Sequence, residues 1–351
     1  MRAVDNPPNP FESHHRELLE AAPDARVDVY EDHPQSILSR NDSPDLPFRW
    51  SVNPYRGCFH ACAYCYARPS HEYWGFGAGT DFESKLVVKP NAAALLRQAL
   101  LKPSWKGELI LFSGNTDCYQ PLEAQYGITR ACLQVCAEVR NPVAIITKGT
   151  LLLRDEDLLQ RLHETAWLRV YVTLPFADTD MARALEPHVP SPQRRLDMIR
   201  RLTSLGISVG ISLAPVIPGL NHSDIPRLLQ AAREAGATEA FMTMLRLPGH
   251  SADVFWTRLA QAYPDRVARV RARILAARPT QAHRAAFHDR LVGHDETWRT
   301  VEQLFRVTCR TLGFQSDARG QEASALPSTF RRPDVREPQL SLFPQDTVRE
   351  R

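Results

Sequence analysis

The stretch Asn53-Pro54-Tyr55-Arg56-Gly57-Cys58-Phe59-His60-Ala61-Cys62-Ala63-Tyr64-Cys65-Tyr66-Ala67-Arg68 decides how this chain is read. It carries three of the seven cysteines, spaced C-x3-C-x2-C. Thiolates this close converge on one centre only where a loop wraps around it. A [4Fe–4S] cluster normally takes four cysteine thiolates. Three protein ligands would leave one iron open to a small molecule, as a catalytic zinc keeps one open position. Two other readings stand beside the cluster. Cys58, Cys62 and Cys65 with His60 would make a Cys3His zinc site, although structural zinc sites usually draw on two short knuckles far apart. A disulfide pair is the third, and nothing marks the chain as secreted.

Outward from this loop, residues 48–53 form a short β-prone run that leads into it. Downstream, strand and helix signals alternate. Helices are expected over 91–101, 126–139, 155–164, 192–205 and 223–235, the last two closing at Gly206 and Gly236 as C′ glycines. Short apolar runs at 108–112, 143–147, 168–174, 207–213 and 239–245 read as buried strands. Near-continuous apolar strands between amphipathic helices mean a parallel α/β sheet. With the strand before the cysteines there are six βα units, and a partial (β/α)6 barrel is the natural closure. Functional loops in such barrels follow the C-terminal ends of the strands. The cysteine loop follows strand one, as that rule requires.

Composition bounds the rest. The chain has 351 residues, 43% hydrophobic and 24% charged, enough for one large domain or two smaller ones. A net charge of +3 gives no global nucleic-acid signature. The polar start Met1-Arg2-Ala3-Val4-Asp5-Asn6 has no apolar h-region, so no signal peptide is expected. No apolar run is long enough for a membrane span. An odd cysteine count without a signal fits a reducing cytoplasm. Residues 1–45 read as an irregular N-terminal arm, with Pro7, Pro8 and Pro10 excluding a helix interior and Phe11 as an anchor. Residues 46–250 read as the core. Residues 251–316 read as a helical extension, with helices over 254–262, 265–277 and 297–312 and many arginines. Those arginines (Arg266, Arg269, Arg271, Arg273, Arg278, Arg284 and Arg290) form either a solvated, salt-bridged face or a phosphate-contacting surface. Residues 317–351 read as a flexible tail. Cys132, Cys136 and Cys309 fall on helix patterns and read as core thiols.

With Tyr64 directly before Cys65, the loop has the form C-x3-C-x-aromatic-C, and here the chain resembles the radical S-adenosylmethionine superfamily. The resemblance implies the partial barrel, a [4Fe–4S] cluster on Cys58, Cys62 and Cys65, and an external electron donor. It also implies that the amine and carboxylate of S-adenosylmethionine chelate the open iron. An electron from the cluster then cleaves the sulfonium to a 5′-deoxyadenosyl radical. Tyr64 would pack the adenine. In this family a Gly-Gly-Glu turn after strand two often holds the cofactor's amino group. That motif is absent, and Ser113, Asn115 and Asp117 stand in its place, with an Asx-turn before a helix as the plain alternative. Thr147 and Lys148 follow strand three. After strand four, Thr173, Glu186 and Arg194 are placed to meet the ribose hydroxyls and the methionine carboxylate, or to pair with each other at the surface. Two prolines and a glycine shape the loop Ala214-Pro215-Val216-Ile217-Pro218-Gly219-Leu220-Asn221, which is expected to form an adenine-side wall.

Five segments together look like the spore photoproduct lyase-like branch, many of whose members are labelled DNA repair photolyase-like. They are Asn53–Cys58, Cys62–Arg68, the turn from Ser113 to Pro121, Leu185–Pro187 and Ala214–Gly219. The likeness covers about residues 45–250. It implies DNA as a partner, with lesion reversal or modification as the reaction. Photoproduct lyase uses a further cysteine as a hydrogen donor, and Cys118 is the candidate for that relay. In the polar tail, Gln339, Leu340, Ser341, Leu342 and Phe343 resemble the peptide by which bacterial repair proteins bind the sliding clamp. The alternative is that Leu342 and Phe343 fold back on this chain. Three functions are thus in play: radical chemistry on nucleic acid, the same chemistry on a small molecule or protein, and a non-enzymatic zinc module. Iron and sulfide analysis separates the last from the others, and salt-dependent DNA binding separates the first two.

Overall fold

The computed structural model describes residues 2–4, 27–278, 290–315 and 328–332. The clamp-like peptide 339–343 and Phe11 lie outside them. The strands are β1 (Arg2–Val4), β2 (Asp28–Glu31), β3 (Leu38–Arg40), β4 (Trp50–Val52), β5 (Tyr55–Arg56), β6 (Lys85–Val88), β7 (Ile110–Phe112), β8 (Val143–Thr147), β9 (Leu168–Thr173), β10 (Val209–Val216) and β11 (Glu239–Met244). The main sheet has the order β11-β10-β9-β8-β7-β4-β3. All pairs from β4 to β11 are parallel, and β3 runs antiparallel along β4 at the edge. Each of the six parallel strands expected from the apolar runs is therefore present, side by side in chain order. The sheet is open, since β11 and β3 at its two ends do not pair with each other.

Helices cover the strands because their apolar residues recur on one face. Helix Ala92–Leu101 buries Ala92, Leu96 and Leu100, four apart. In helix Glu296–Leu312 the buried residues are Trp298, Val301, Phe305 and Cys309, and Asp295 caps its start by accepting from the Trp298 N–H at 2.9 Å. Gly206 and Gly236 both take positive φ just past their helices, as expected. Cys132, Cys136 and Cys309 are core thiols. No helix among the described residues is long and apolar enough to cross a membrane.

Two expectations need correction. Residues 1–45 are not irregular throughout, because β1, β2 and β3 fall there. A second sheet, ordered β1-β2-β6-β5, pairs β2 in parallel with β6 and β6 antiparallel with β5. Its strands have two to four residues, too short for a period to show in sequence. Nor is all of 317–351 a free tail. Residues 328–332 are seated on the body: Arg331 N–H donates to Val139 O at 2.8 Å and Ser328 Oγ to Gly107 O at 2.9 Å.

Close packing also fixes the end of β8, which the site depends on. A Cβ at Gly149 would lie 2.2 Å from the carbonyl oxygen of Tyr119, so β8 and the loop after β7 touch backbone to backbone. Gly149→Ala is expected to destabilise the protein by about 1–3 kcal/mol. A thermal melt with an unchanged midpoint would contradict this close approach.

Candidate cluster and cofactor site

The cysteine loop is held by its backbone. β5 pairs with β6 (Tyr55 opposite Val88, Arg56 opposite Val87), which fixes where the loop begins. Gly57 then turns the chain with φ 70°, and a Cβ there would lie 2.8 Å from Leu86 Cδ2 and 2.9 Å from Phe82 O. Only glycine fits. Ala61, inside the loop, sits at φ 56°, a conformation an alanine adopts only when its surroundings impose it. Those surroundings are hydrogen bonds from outside the loop. Cys58 N–H donates to Phe82 O at 2.9 Å and Ala63 N–H to Leu185 O at 2.8 Å. Ser251 Oγ donates to Cys65 O at 2.9 Å. The Gln120 carboxamide accepts from Phe59 N–H at 3.0 Å and donates to Gly57 O at 3.1 Å.

The strongest brace is Arg68, whose side chain is fully buried. Its guanidinium donates to the carbonyls of Ala61 (3.3 Å), Cys62 (3.0 and 3.2 Å), Ala78 (3.0 Å) and Gly79 (2.8 Å). It also pairs with Glu83 at 2.7 Å. Arg258 reaches in from helix Ser251–Ala262 to the same Ala61 carbonyl at 2.5 Å and to Glu83.

The open side of the loop faces the ends of β7, β8 and β9. Lys148, just past β8, places Nζ 5.7 Å from the centre of the Tyr64 ring. Burial alone would lower its pKa, but Cys62, Glu186, Asp117 and Cys65 together raise it above the ordinary value. Burial pushes the Cys62 thiol up to about 12, with Lys148 pulling the other way. The Cys58 thiol is raised too, by burial and then by the Asp117 charge. Tyr64 OH donates to buried Glu186, whose other oxygen pairs with fully buried Arg195 at 2.7 Å. Arg195 also donates to Thr173 O at 2.9 Å.

Of the residues expected from sequence, Tyr64, Asp117, Thr173 and Glu186 gather around the cysteine loop with Lys148. Asp117 accepts from Thr147 Oγ1 (2.6 Å), Lys148 N–H (2.8 Å) and Tyr119 N–H (3.0 Å). His60 Nδ1 lies 3.4 Å from Asp117 without the alignment of a hydrogen bond. Burial alone would raise the Asp117 pKa, but His60 and these donors hold it at about 2. Ser113 has φ 76°, and its Oγ accepts from Cys118 N–H at 2.8 Å. Asn115 bridges the turn to the cysteine loop: its N–H donates to Asn53 Oδ1 at 2.7 Å and its Nδ2 to Ser70 Oγ at 3.2 Å.

Two residues are not where the sequence pattern suggests. Arg194 lies on the exposed face of helix Pro192–Ser204, and its neighbour Arg195 is the buried arginine that meets Glu186. Successive residues of a helix point about 100° apart, and the apolar stripe decides which turns inward. Glu186 is accordingly a buried partner and not a surface one. Cys118 is fully buried in the main core and is not presented at the mouth. Three further residues, Arg68, Gln120 and Arg258, serve the site without a role legible in the sequence, although Arg68 and Gln120 fall in segments that carry the family resemblance. Arg68 directly follows the motif, but nothing local marks it as buried, since Glu83 and Arg258 come from distant turns.

Three thiols on one loop, two buried and one half-buried, are donors of the kind an iron–sulfur cluster takes. Among the described residues no group of three His, Cys, Asp or Glu is placed to hold a metal ion. This chain belongs to the radical SAM superfamily, whose family model matches residues 52–232. It is therefore a radical SAM enzyme by class. An uncharacterised protein of Mycobacterium tuberculosis is 41% identical over 228 residues, covering 64% of this chain and 67% of that one. A radical SAM Nα-GlyT isomerase of Pseudomonas phage M6 is 27% identical, covering 53% of this chain and 37% of its own. The fold is that of spore photoproduct lyase. A double mutant of that enzyme, solved with bound AdoMet and dinucleoside spore photoproduct, superposes with a TM-score of 0.58 at 15% identity, over 82% of this chain and 80% of the other.

Two outcomes follow from the geometry. Arg68→Ala removes the guanidinium donors from four inward carbonyls and breaks a buried pair, which is expected to cost about 3–5 kcal/mol. Arg68→Lys is expected to recover only part of it, because an ammonium lacks the planar fork. Thermal melts of the two variants check this, and a wild-type midpoint for Arg68→Ala would contradict it. For Asp117 the folded pKa of about 2 lies below the ordinary 3.8. Its contribution of about 2 kcal/mol is therefore present above roughly pH 4 and lost as pH falls toward 2. Urea midpoints measured from pH 5 to pH 2 are expected to fall less steeply for Asp117→Asn than for the wild type.

Proposed function

We propose that Cys58, Cys62 and Cys65 hold a [4Fe–4S] cluster, and that the enzyme uses it with S-adenosylmethionine to modify or repair nucleic acid. The observation that carries the cluster reading is the brace behind the loop. Three buried or half-buried thiols sit on a backbone fixed by Arg68, Gln120 and Ser251, at the C-terminal rim of a parallel sheet. When bound, the cluster supplies the electron that cleaves S-adenosylmethionine and starts radical chemistry. The residues of the chain bind and orient. Lys148 brings a positive charge beside the Cys62 and Cys65 sulfurs and offsets part of the thiolate charge. Tyr64, locked by Glu186, offers a fixed ring for the adenine to pack on. The oxygens of Asp117 already take three donors, so it acts as a positioning residue that aims Lys148.

Nucleic acid is favoured as substrate by the fold shared with a lyase solved with a dinucleoside photoproduct. The same chemistry on a small molecule or a protein is the alternative.

The experiment is anaerobic reconstitution followed by reduction with dithionite. Each of Cys58→Ala, Cys62→Ala and Cys65→Ala is expected to lose the bound iron and all 5′-deoxyadenosine formation. Full iron in any of the three would contradict the ligand set. Damaged oligonucleotides incubated with loaded wild-type enzyme and analysed by mass spectrometry then test the substrate class. Cofactor cleavage without any change in any oligonucleotide would point to the alternative.

A further inference from the structure

A groove of about 290 Å³ opens beside the ends of β4 and β7; it shares Asn53 and Asn115 with the turn that braces the cysteine loop, but Tyr64, Asp117, Lys148 and Glu186 do not line it. Asn53, Arg56, Lys89, Gly114 and Asn115 line it, with Phe48 as an apolar wall, and no Asp or Glu does. Two cations therefore share one groove without an acid in its lining.

Neither cation makes an ion pair among the described residues, and the Nε of Arg56 is buried without a hydrogen-bond partner there. The Arg56 guanidinium lies 5.4 Å from the centre of the Trp74 ring, within cation–π range. Lys89 is buried, and its Nζ donates to Asn53 O at 3.0 Å. Burial and then the nearby Arg56 charge lower the Lys89 pKa to about 8, against a partial pull from Asp32 outside the groove. Burying two like charges together is costly unless an anion joins them. Each has donors left to give: three N–H bonds on an ammonium and five on a guanidinium.

We infer that this groove binds a backbone phosphate of a nucleic-acid strand, and so sets where the strand lies against the cysteine loop. The inference rests on the nucleic-acid reading of the function. Aromatic rings beside the cations favour a strand over a small anion. Trp74 lies under Arg56, and half-exposed Tyr66 donates its OH to Gly114 O at 2.9 Å, on the groove wall. A positive groove flanked by rings on which bases stack is how single strands are held without sequence preference. Tyr66 directly follows Cys65, so a base stacked there sits beside the cluster loop.

The test uses reconstituted holoenzyme and a fluorescein-labelled oligothymidylate of about twelve nucleotides, titrated by anisotropy across a salt series. For Arg56→Gln and Lys89→Gln, affinity is expected to fall about tenfold, and the slope of log affinity against log salt to drop by roughly 0.7 for each phosphate no longer neutralised. Arg56→Lys is expected to keep the slope, which separates lost charge from lost folding. A methylphosphonate oligomer, neutral along its backbone, should bind wild type and Arg56→Gln alike. If wild type binds DNA and both Gln variants keep its affinity and slope, the groove is not the phosphate site, while the nucleic-acid reading stands. If wild type binds no oligonucleotide, that reading fails and the groove assignment falls with it. If Arg56→Gln instead weakens S-adenosylmethionine binding without DNA and leaves the DNA slope intact, the oxyanion is the cofactor's carboxylate, and the inference is overturned.

Discussion

The site depends on one buried guanidinium. A loop that presents three sulfurs to one side must turn its carbonyls to the other. Those carbonyls cannot reach a strand or helix partner, and leaving them dry and unpaired would cost on the order of 1–3 kcal/mol each. Arg68 resolves this with a planar fork that reaches two of them, on Ala61 and Cys62, and ties them to the carbonyls of Ala78 and Gly79 in the turn beyond, while Glu83 balances its charge. A lysine would offer the charge but not the geometry. The positive φ of Ala61 persists because Arg68 and Arg258 both hold its carbonyl oxygen.

Two sheets meet at this brace. The small sheet fixes the entry to the loop through β5 and β6, and the main sheet supplies the rim that the sulfurs face. Gln120 ties them together, since it comes from the loop after β7 yet bonds to Gly57 and Phe59 on either side of Cys58. Asn53 does the same from the end of β4, where it meets Asn115 and Lys89. The loop after β7 is thereby spent largely on fixing its neighbours. Ser113, Asn115 and Asp117 all have partners within the fold: Ser113 holds the Cys118 N–H, Asn115 the start of the cysteine loop, and Asp117 the Lys148 backbone.

Charge is arranged locally although the chain is nearly neutral, at +3. Lys148 stands on the inner rim beside the thiols, and Arg56 and Lys89 stand on the outer rim without an acid in their groove. Buried acids elsewhere are matched. Glu186 has Arg195 and Tyr64, and Glu123 has Arg154 and Tyr55. Two cations thus share a groove that no acid lines, which a net-charge figure does not reveal.

The sequence by itself determined the class of the protein and the order of its main strands. The spacing of Cys58, Cys62 and Cys65 is a local pattern, and so are apolar runs such as 143–147, which became β8 with the same bounds. Periodicity and spacing survive in one dimension because they arise between near neighbours. What the tertiary structure alone decided is which polar side chains turn inward. Arg195 and not Arg194 meets Glu186, because helix Pro192–Ser204 docks its apolar stripe and carries Arg195 in with it. Cys118 is drawn into the core, away from the mouth. Arg68 is buried only because Glu83 and Arg258 arrive from 15 and 190 residues away, counted along the numbering. Partners at such separations leave no period in the sequence, and burial that depends on them is settled only when the sheets close around the loop.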